Sequence, residues 1–208
     1  TDPIYDPVLK KTLTKPSHAK ARAYGYSLAN SVIEAFQAGD FKQSPKPSIA
    51  IQSTEIELGI ENFMLSLGTM LGVIDSDPKF SLMPPFIRYL SEVAFIQIGD
   101  ASITGIPGEL YPEIAVGGIE NPIGADYVTA PQEVPHLRSQ FSDKLNLMVN
   151  LANDSIGYII PKSEWDEDAP WIYGGKEETY GEVVSLGPNT APIIHENLVE
   201  LIKESKNK

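Results

Sequence analysis

The chain has 208 residues, of which 42% are hydrophobic, and its 28 acidic against 16 basic side chains give a net charge of −12. That length and apolar content suffice for a globular protein with a real core, while the acidic excess repels phosphate backbones and argues against nucleic acid as a partner. Cysteine is absent, which excludes disulfides and thiolate metal sites and leaves His, Asp, Glu, Tyr and backbone oxygens as the available ligands.

No run of ~18 apolar residues is present to span a bilayer, and Thr1-Asp-Pro-Ile-Tyr5 lacks the basic-then-apolar layout of a signal peptide. No transmembrane segment and no export signal are therefore expected within these residues. The first residue is not Met, which suits a processed piece of something longer.

Residues 1–16 carry three prolines without a clear period and read as an extended arm, with 17–208 as the globular α/β part. Ser17 suits a helix cap, and His18 to Ala38 reads as a helix ended near Gly39. Phe41 to Pro47 is a connection. Ser48 to Leu58 alternates as a strand of mixed faces, Asn62 to Leu71 reads as a short helix, and Asp75-Ser-Asp-Pro78 as a turn. Glu92 to Gly99 and Ala101 to Ile106 read as strands joined by a tight Gly99-Asp100 hairpin. Gly117 to Val134 has no steady period and is long for a plain connection. Lys144 to Leu151 alternates as a half-buried strand entering an Asn153-Asp154 turn, and Tyr158-Ile-Ile160 is a short apolar piece stopped by Pro161. Lys162 to Gly187 is loop-rich, and a final helix runs from about Ala191 to Lys206 with lysines at the end that the helix dipole favours.

Two pieces deliver one oxygen-bearing side chain each. Ile103-Thr-Gly-Ile-Pro-Gly-Glu109 brings a carboxylate to the end of an apolar run, next to a glycine that leaves room for a ligand. Taken alone, Pro-Gly-Glu reads as a turn with a solvated acid. Asn153-Asp-Ser-Ile-Gly-Tyr158 brings a phenol, whose pKa near ~10 makes it a poor ligand until a cation favours the phenolate. Taken alone, a Tyr beside Ile159 and Ile160 reads as a packed strand residue.

Read in order, Pro107-Gly-Glu109, Asn153 to Tyr158, Ser163-Glu-Trp165 and Glu182-Val-Val-Ser185-Leu-Gly-Pro188 resemble the metal-binding half of the neutral ceramidase family, as a divergent bacterial-type relative. The likeness spans most of the chain and is most specific between residues 103 and 188. The family's Thr- and Arg-rich stretch after its Pro-Gly-Glu is here Leu110-Tyr-Pro-Glu-Ile114, the first Tyr of its Tyr-x-x-Tyr is Ser155, and its Thr-Thr pair is Ile160-Pro161.

That resemblance implies an α/β fold with a mixed sheet flanked by the first and last helices, forming the C-terminal portion of a ceramidase-like catalytic domain. It implies Glu109 and Tyr158 as ligands of one zinc ion, with Tyr158 also acting in catalysis. Two histidines would come from an upstream segment or a second chain. The implied activity is hydrolysis of an amide, with a small-molecule or lipid amide of ceramide type as substrate, and the implied location is secreted or periplasmic. The alternative is a related binding or interaction domain without catalysis.

The chain's own histidines, His18, His136 and His195, form no close pair and read as structural or solvated. Trp165, Trp171, Tyr173 and Tyr180 suit either the mouth of a cleft or the pinning of a long loop. The acid runs Asp166-Glu-Asp168 and Glu177-Glu178 read as exposed, without the spacing of a calcium loop.

Overall fold

In the computed structural model, residues 2–39, 46–74, 78–141, 145–177 and 179–206 are described. The chain divides into two compact units, residues 1–46 and 47–208. The boundary thus falls after the first helix, whereas the sequence reading put it after Pro16. Most of the expected 41–47 connection, the core of the 75–78 turn and Glu178 lie outside the described residues.

In the first unit, β1 (Ile4–Asp6) and β2 (Lys11–Leu13) pair as an antiparallel hairpin, so residues 4–13 do not run as a single arm. Asp6 explains the turn: its carboxylate accepts from Val8 N (2.8 Å) and Leu9 N (3.0 Å) and pairs with Arg22 at 3.0 Å. The Leu9 amide, more than any other group, holds the Asp6 carboxyl below its usual range, against the opposing effect of burial. Helix α1 (His18–Ala38) starts where Ser17 accepts from Lys20 N and ends at Gly39 in the left-handed region, φ 72°, as its sequence predicts.

The second unit contains β3 (Ile49–Gly59), α2 (Phe63–Met70), β4 (Lys79–Phe80), β5 (Ile87–Ile98), β6 (Ala101–Gly105), β7 (Glu109–Leu110), α3 (Pro112–Val116), β8 (Leu145–Val149), β9 (Tyr158–Ile159), α4 (Tyr180–Val183) and α5 (Thr190–Ser205). The main sheet has the order β3-β5-β6-β8, with β4 added against β5. Its β3–β5 and β5–β6 pairs are antiparallel and its β6–β8 pair is parallel, which makes the sheet mixed as expected. The β5–β6 hairpin turns on Gly99-Asp100, with Ile98 opposite Ala101 and Gly99 at φ 57°, a value that favours glycine.

The period-two pattern sorts each strand's side chains. Ile56 and Leu58 of β3 and Val93 and Phe95 of β5 point into the core, where α5 packs with Ile194, Leu198, Leu201 and Ile202. Each of these side chains contributes about 1.5–3 kcal/mol of hydrophobic stabilisation. The opposite sheet face is open and apolar at one end, where Ile49, Ile51, Ile98, Leu145, Leu147 and Val149 share it by register and are exposed, with Glu55, Glu57 and Glu92 farther along β3 and β5.

Candidate functional site

Strand β6 leads through Ile106-Pro-Gly108 into β7, and β8 leads through the Asn153-Asp154 turn into β9. Backbone hydrogen bonds hold these two exits together: Ile106 N donates to Val149 O, Ala152 N to Ile106 O, and Ile156 N to Pro107 O, each between 2.9 and 3.0 Å. Strands β7 and β9 then pair in parallel, and the register places Glu109 opposite Tyr158. In-register residues of a parallel pair present their side chains on one face, so the Tyr158 phenol and the Glu109 carboxylate stand side by side.

Two glycines let the backbones come this close. A Cβ on Gly108 would lie 2.5 Å from Gly157 O. Gly157 itself is at φ 90°, and a Cβ there would sit 1.8 Å from Val184 O, the carbonyl to which Tyr158 N donates. No other residue fits either constraint at Gly157 without moving the loop. The Glu182 to Pro188 segment therefore backs β9, which gives a structural reason for that part of the motif.

The Tyr158 ring sits edge-on to two other phenols, with centroids 6.1 Å from Tyr111 and 6.0 Å from Tyr180. Tyr111 follows Glu109 by two positions, so an extended backbone puts both on one face, a signal present in the sequence. Tyr180 comes from α4, and nothing local in the sequence connects it to Tyr158. Gly181 makes room for this cluster, since a Cβ there would meet the Tyr111 hydroxyl at 2.4 Å.

The electrostatic field here is negative. The Glu109 charge is the main cause holding the Tyr158 phenol above the usual 10.0, with partial burial and Tyr180 acting in the same direction. Burial pushes Tyr111 up to about 12, assisted by the charges of Glu182, Tyr158, Glu113 and Glu164. Glu164 is itself raised, chiefly by burial and by the neighbouring Glu113, Glu120 and Glu133, although it accepts from Glu120 N at 2.7 Å. Two oxygen-bearing side chains in register, beside further carboxylates, form a cation-attracting arrangement.

Glu109 and Tyr158 are two donors, and stable zinc sites have about three or four protein ligands. Among the described residues, no group of three or more His, Asp or Glu is arranged to hold a metal ion. His18 is exposed at the start of α1. His136 starts a 3₁₀ turn, its Nδ1 3.2 Å from Ala115 O, and the buried His195 donates from Nε2 to Pro135 O at 2.9 Å. The contacts of His136 and His195 are those of structural side chains.

The four aromatics of the loop-rich stretch separate. Trp165 is fully buried and donates to Glu167 at 3.0 Å, Tyr173 is exposed and bonds to Glu120, and only Tyr180 reaches the Tyr158 ring. The acid run also differs from the sequence reading at one position. Asp166 is buried, with one oxygen accepting from Ile172 N at 3.0 Å, while Glu167 and Asp168 are exposed. The buried carboxylate organises the 166–172 loop, which alternation of charge alone does not reveal.

No protein-family model matches this chain, and no curated protein matches it. Among solved structures, the neutral ceramidase from Pseudomonas aeruginosa superposes with a TM-score of 0.46 at 12% identity, over 84% of this chain and 31% of that chain. The chain thus spans about a third of the length of that ceramidase. A likeness at this level decides neither family nor activity.

Proposed function

We propose that this chain supplies the Glu109 and Tyr158 half of a zinc-dependent amide hydrolase whose remaining ligands are two histidines from an upstream segment or a second chain. The observation that carries the reading is the in-register β7–β9 pairing, which joins the carboxylate and the phenol named by the ceramidase-like motifs. Two further features support it: the acidic surroundings favour a cation, and the open apolar face of the main sheet offers a surface for additional chain.

A bound zinc ion supplies a Lewis acid for the amide carbonyl and a water whose pKa is lowered to about 7. The roles of the chain's own groups follow from their chemistry. Glu109 is a carboxylate ligand fixed by its strand and by the neighbouring Gly108. Tyr158 is a second oxygen ligand, and when released from the metal as the neutral phenol it would donate a hydrogen bond to the oxygen on which negative charge develops. Tyr111 and Tyr180 hold the Tyr158 ring by edge contacts. The substrate class is an amide with an apolar acyl group, such as an N-acyl lipid, and the location expected for such an enzyme is outside the cytoplasm.

Hydrolysis of N-acyl amides by the protein together with its upstream sequence tests this reading. Tyr158→Phe is expected to lower kcat by about 100-fold or more, the loss typical of a transition-state hydrogen-bond donor, with zinc-chelated protein inactive. Undiminished turnover in Tyr158→Phe would contradict the assignment. A second reading, a ceramidase-like binding domain without catalysis, is favoured by the fact that only two donors meet among the described residues. Absence of zinc from the purified wild-type protein would select it.

A further inference from the structure

A pocket of about 460 Å³ is walled by Leu65 and Thr69 of α2, Ile156 and Leu186. Its polar end is formed by Tyr89 and Asp154. The volume lies within the ~300–1,000 Å³ typical of small-molecule sites, and the combination of apolar walls with a few converging polar groups is the usual composition of such sites.

Asp154 is the feature that selects a ligand. Oδ1 accepts from the Tyr89 hydroxyl at 3.0 Å and from Ser155 N at 2.8 Å, while Oδ2 accepts from the Ser91 hydroxyl at 2.9 Å. A carboxylate has about four acceptor positions, so three neutral donors fix its orientation and leave Oδ2 with one position open. No basic side chain among the described residues is paired with Asp154; the pairs Arg22–Asp6 and Arg88–Glu57 lie elsewhere. An oriented carboxylate without a cation, at the end of an apolar pocket, is complementary to a compact cationic head on an apolar body.

We infer that this pocket, between α2 and the 154–157 turn, binds an aliphatic amine, with the ammonium on Asp154 Oδ2 and the alkyl chain along Leu65, Ile156 and Leu186. An alcohol fits the same walls but lacks the charge, and a fatty acid brings a carboxylate against a carboxylate. The inference does not depend on the metal-site reading, and the two fail separately: Tyr158→Phe leaves amine binding unchanged.

The test is calorimetric titration of the full chain at neutral pH with n-octylamine, n-octanol and octanoate, all below their aggregation concentrations. Octylamine is expected to bind about tenfold or more tighter than octanol, the difference expected of a charge-assisted contact, and octanoate to give no signal. Asp154→Asn should remove the preference of amine over alcohol, and Ser91→Ala, which keeps the carboxylate, should retain it. Equal affinity for amine and alcohol, an unchanged preference in Asp154→Asn, or no binding of octylamine overturns the inference. Should Asp154→Asn fail to fold, the comparison of the three ligands on the wild-type chain decides.

Discussion

Glu109 and Tyr158, remote in the sequence, stand opposite each other in the parallel β7–β9 pair, and the charge of the carboxylate holds the phenol pKa above its usual value. Neither strand is long enough to fix this alone. The contact is imposed by the β6–β8 pairing that precedes it and by two glycines that admit the close approach.

The first consequence concerns the titration of the phenol. Because the Glu109 charge is the main cause of the raised Tyr158 pKa, Glu109→Gln is expected to bring it down toward the ordinary value of ~10. Titration of ¹³Cζ-labelled tyrosine by NMR measures this. An unmoved Tyr158 in the variant would mean that the two side chains do not share a field.

Gly157→Ala should be among the most damaging single changes in the second unit. It combines a φ of 90° with a Cβ placed 1.8 Å from Val184 O, and the expected loss is about 3 kcal/mol or more, read as the urea midpoint. A loss under about 1 kcal/mol would contradict the tight backing of β9 by the 182–188 segment.

Alkaline stability follows from Tyr111. Its folded-state pKa of about 12 lies above the unfolded value of ~10, so the folded state retains a proton that the unfolded state releases. The stabilisation is fully present below pH ~10 and is lost as pH rises towards 12. In Tyr111→Phe the urea midpoint should fall less steeply over that window than in the wild type, and equal slopes would count against the burial of this phenol.

Leu198→Ala separates fold from site. Leu198 is 1% exposed, on the face of α5 that packs on β3 and β5, and its truncation is expected to cost about 2–5 kcal/mol. The Tyr158 titration should be unchanged wherever the variant is folded, because α5 does not touch the phenol cluster through any ring contact.

Much of this architecture was legible in the sequence, because the signals were local. Ser17 and Gly39 marked the ends of α1, Gly99-Asp100 marked the β5–β6 turn, and the alternation at Leu145, Leu147 and Val149 marked β8. The apolar alternation in β8 hid one fact, however, since these three residues lie on the open face and not in the core. Period alone gives two faces without saying which is covered. The hairpin at Ile4–Leu13 was hidden for a different reason: Asp6 makes the turn by side-chain hydrogen bonds to Val8 and Leu9, and its partner Arg22 is on the helix. At the candidate site, motif order names Glu109 and Tyr158, and the β7–β9 register brings them together. Tyr180 and the buried Asp166 were not legible, because their surroundings are assembled from distant segments.

The central claim is that Glu109 and Tyr158 hold one cation between them. Zinc content decides it most directly, measured on the protein produced with its upstream sequence, in wild type, Glu109→Ala and Tyr158→Phe. The account predicts zinc in the wild type and a marked loss in both variants, with each variant still folded. Equal zinc in all three proteins would contradict it.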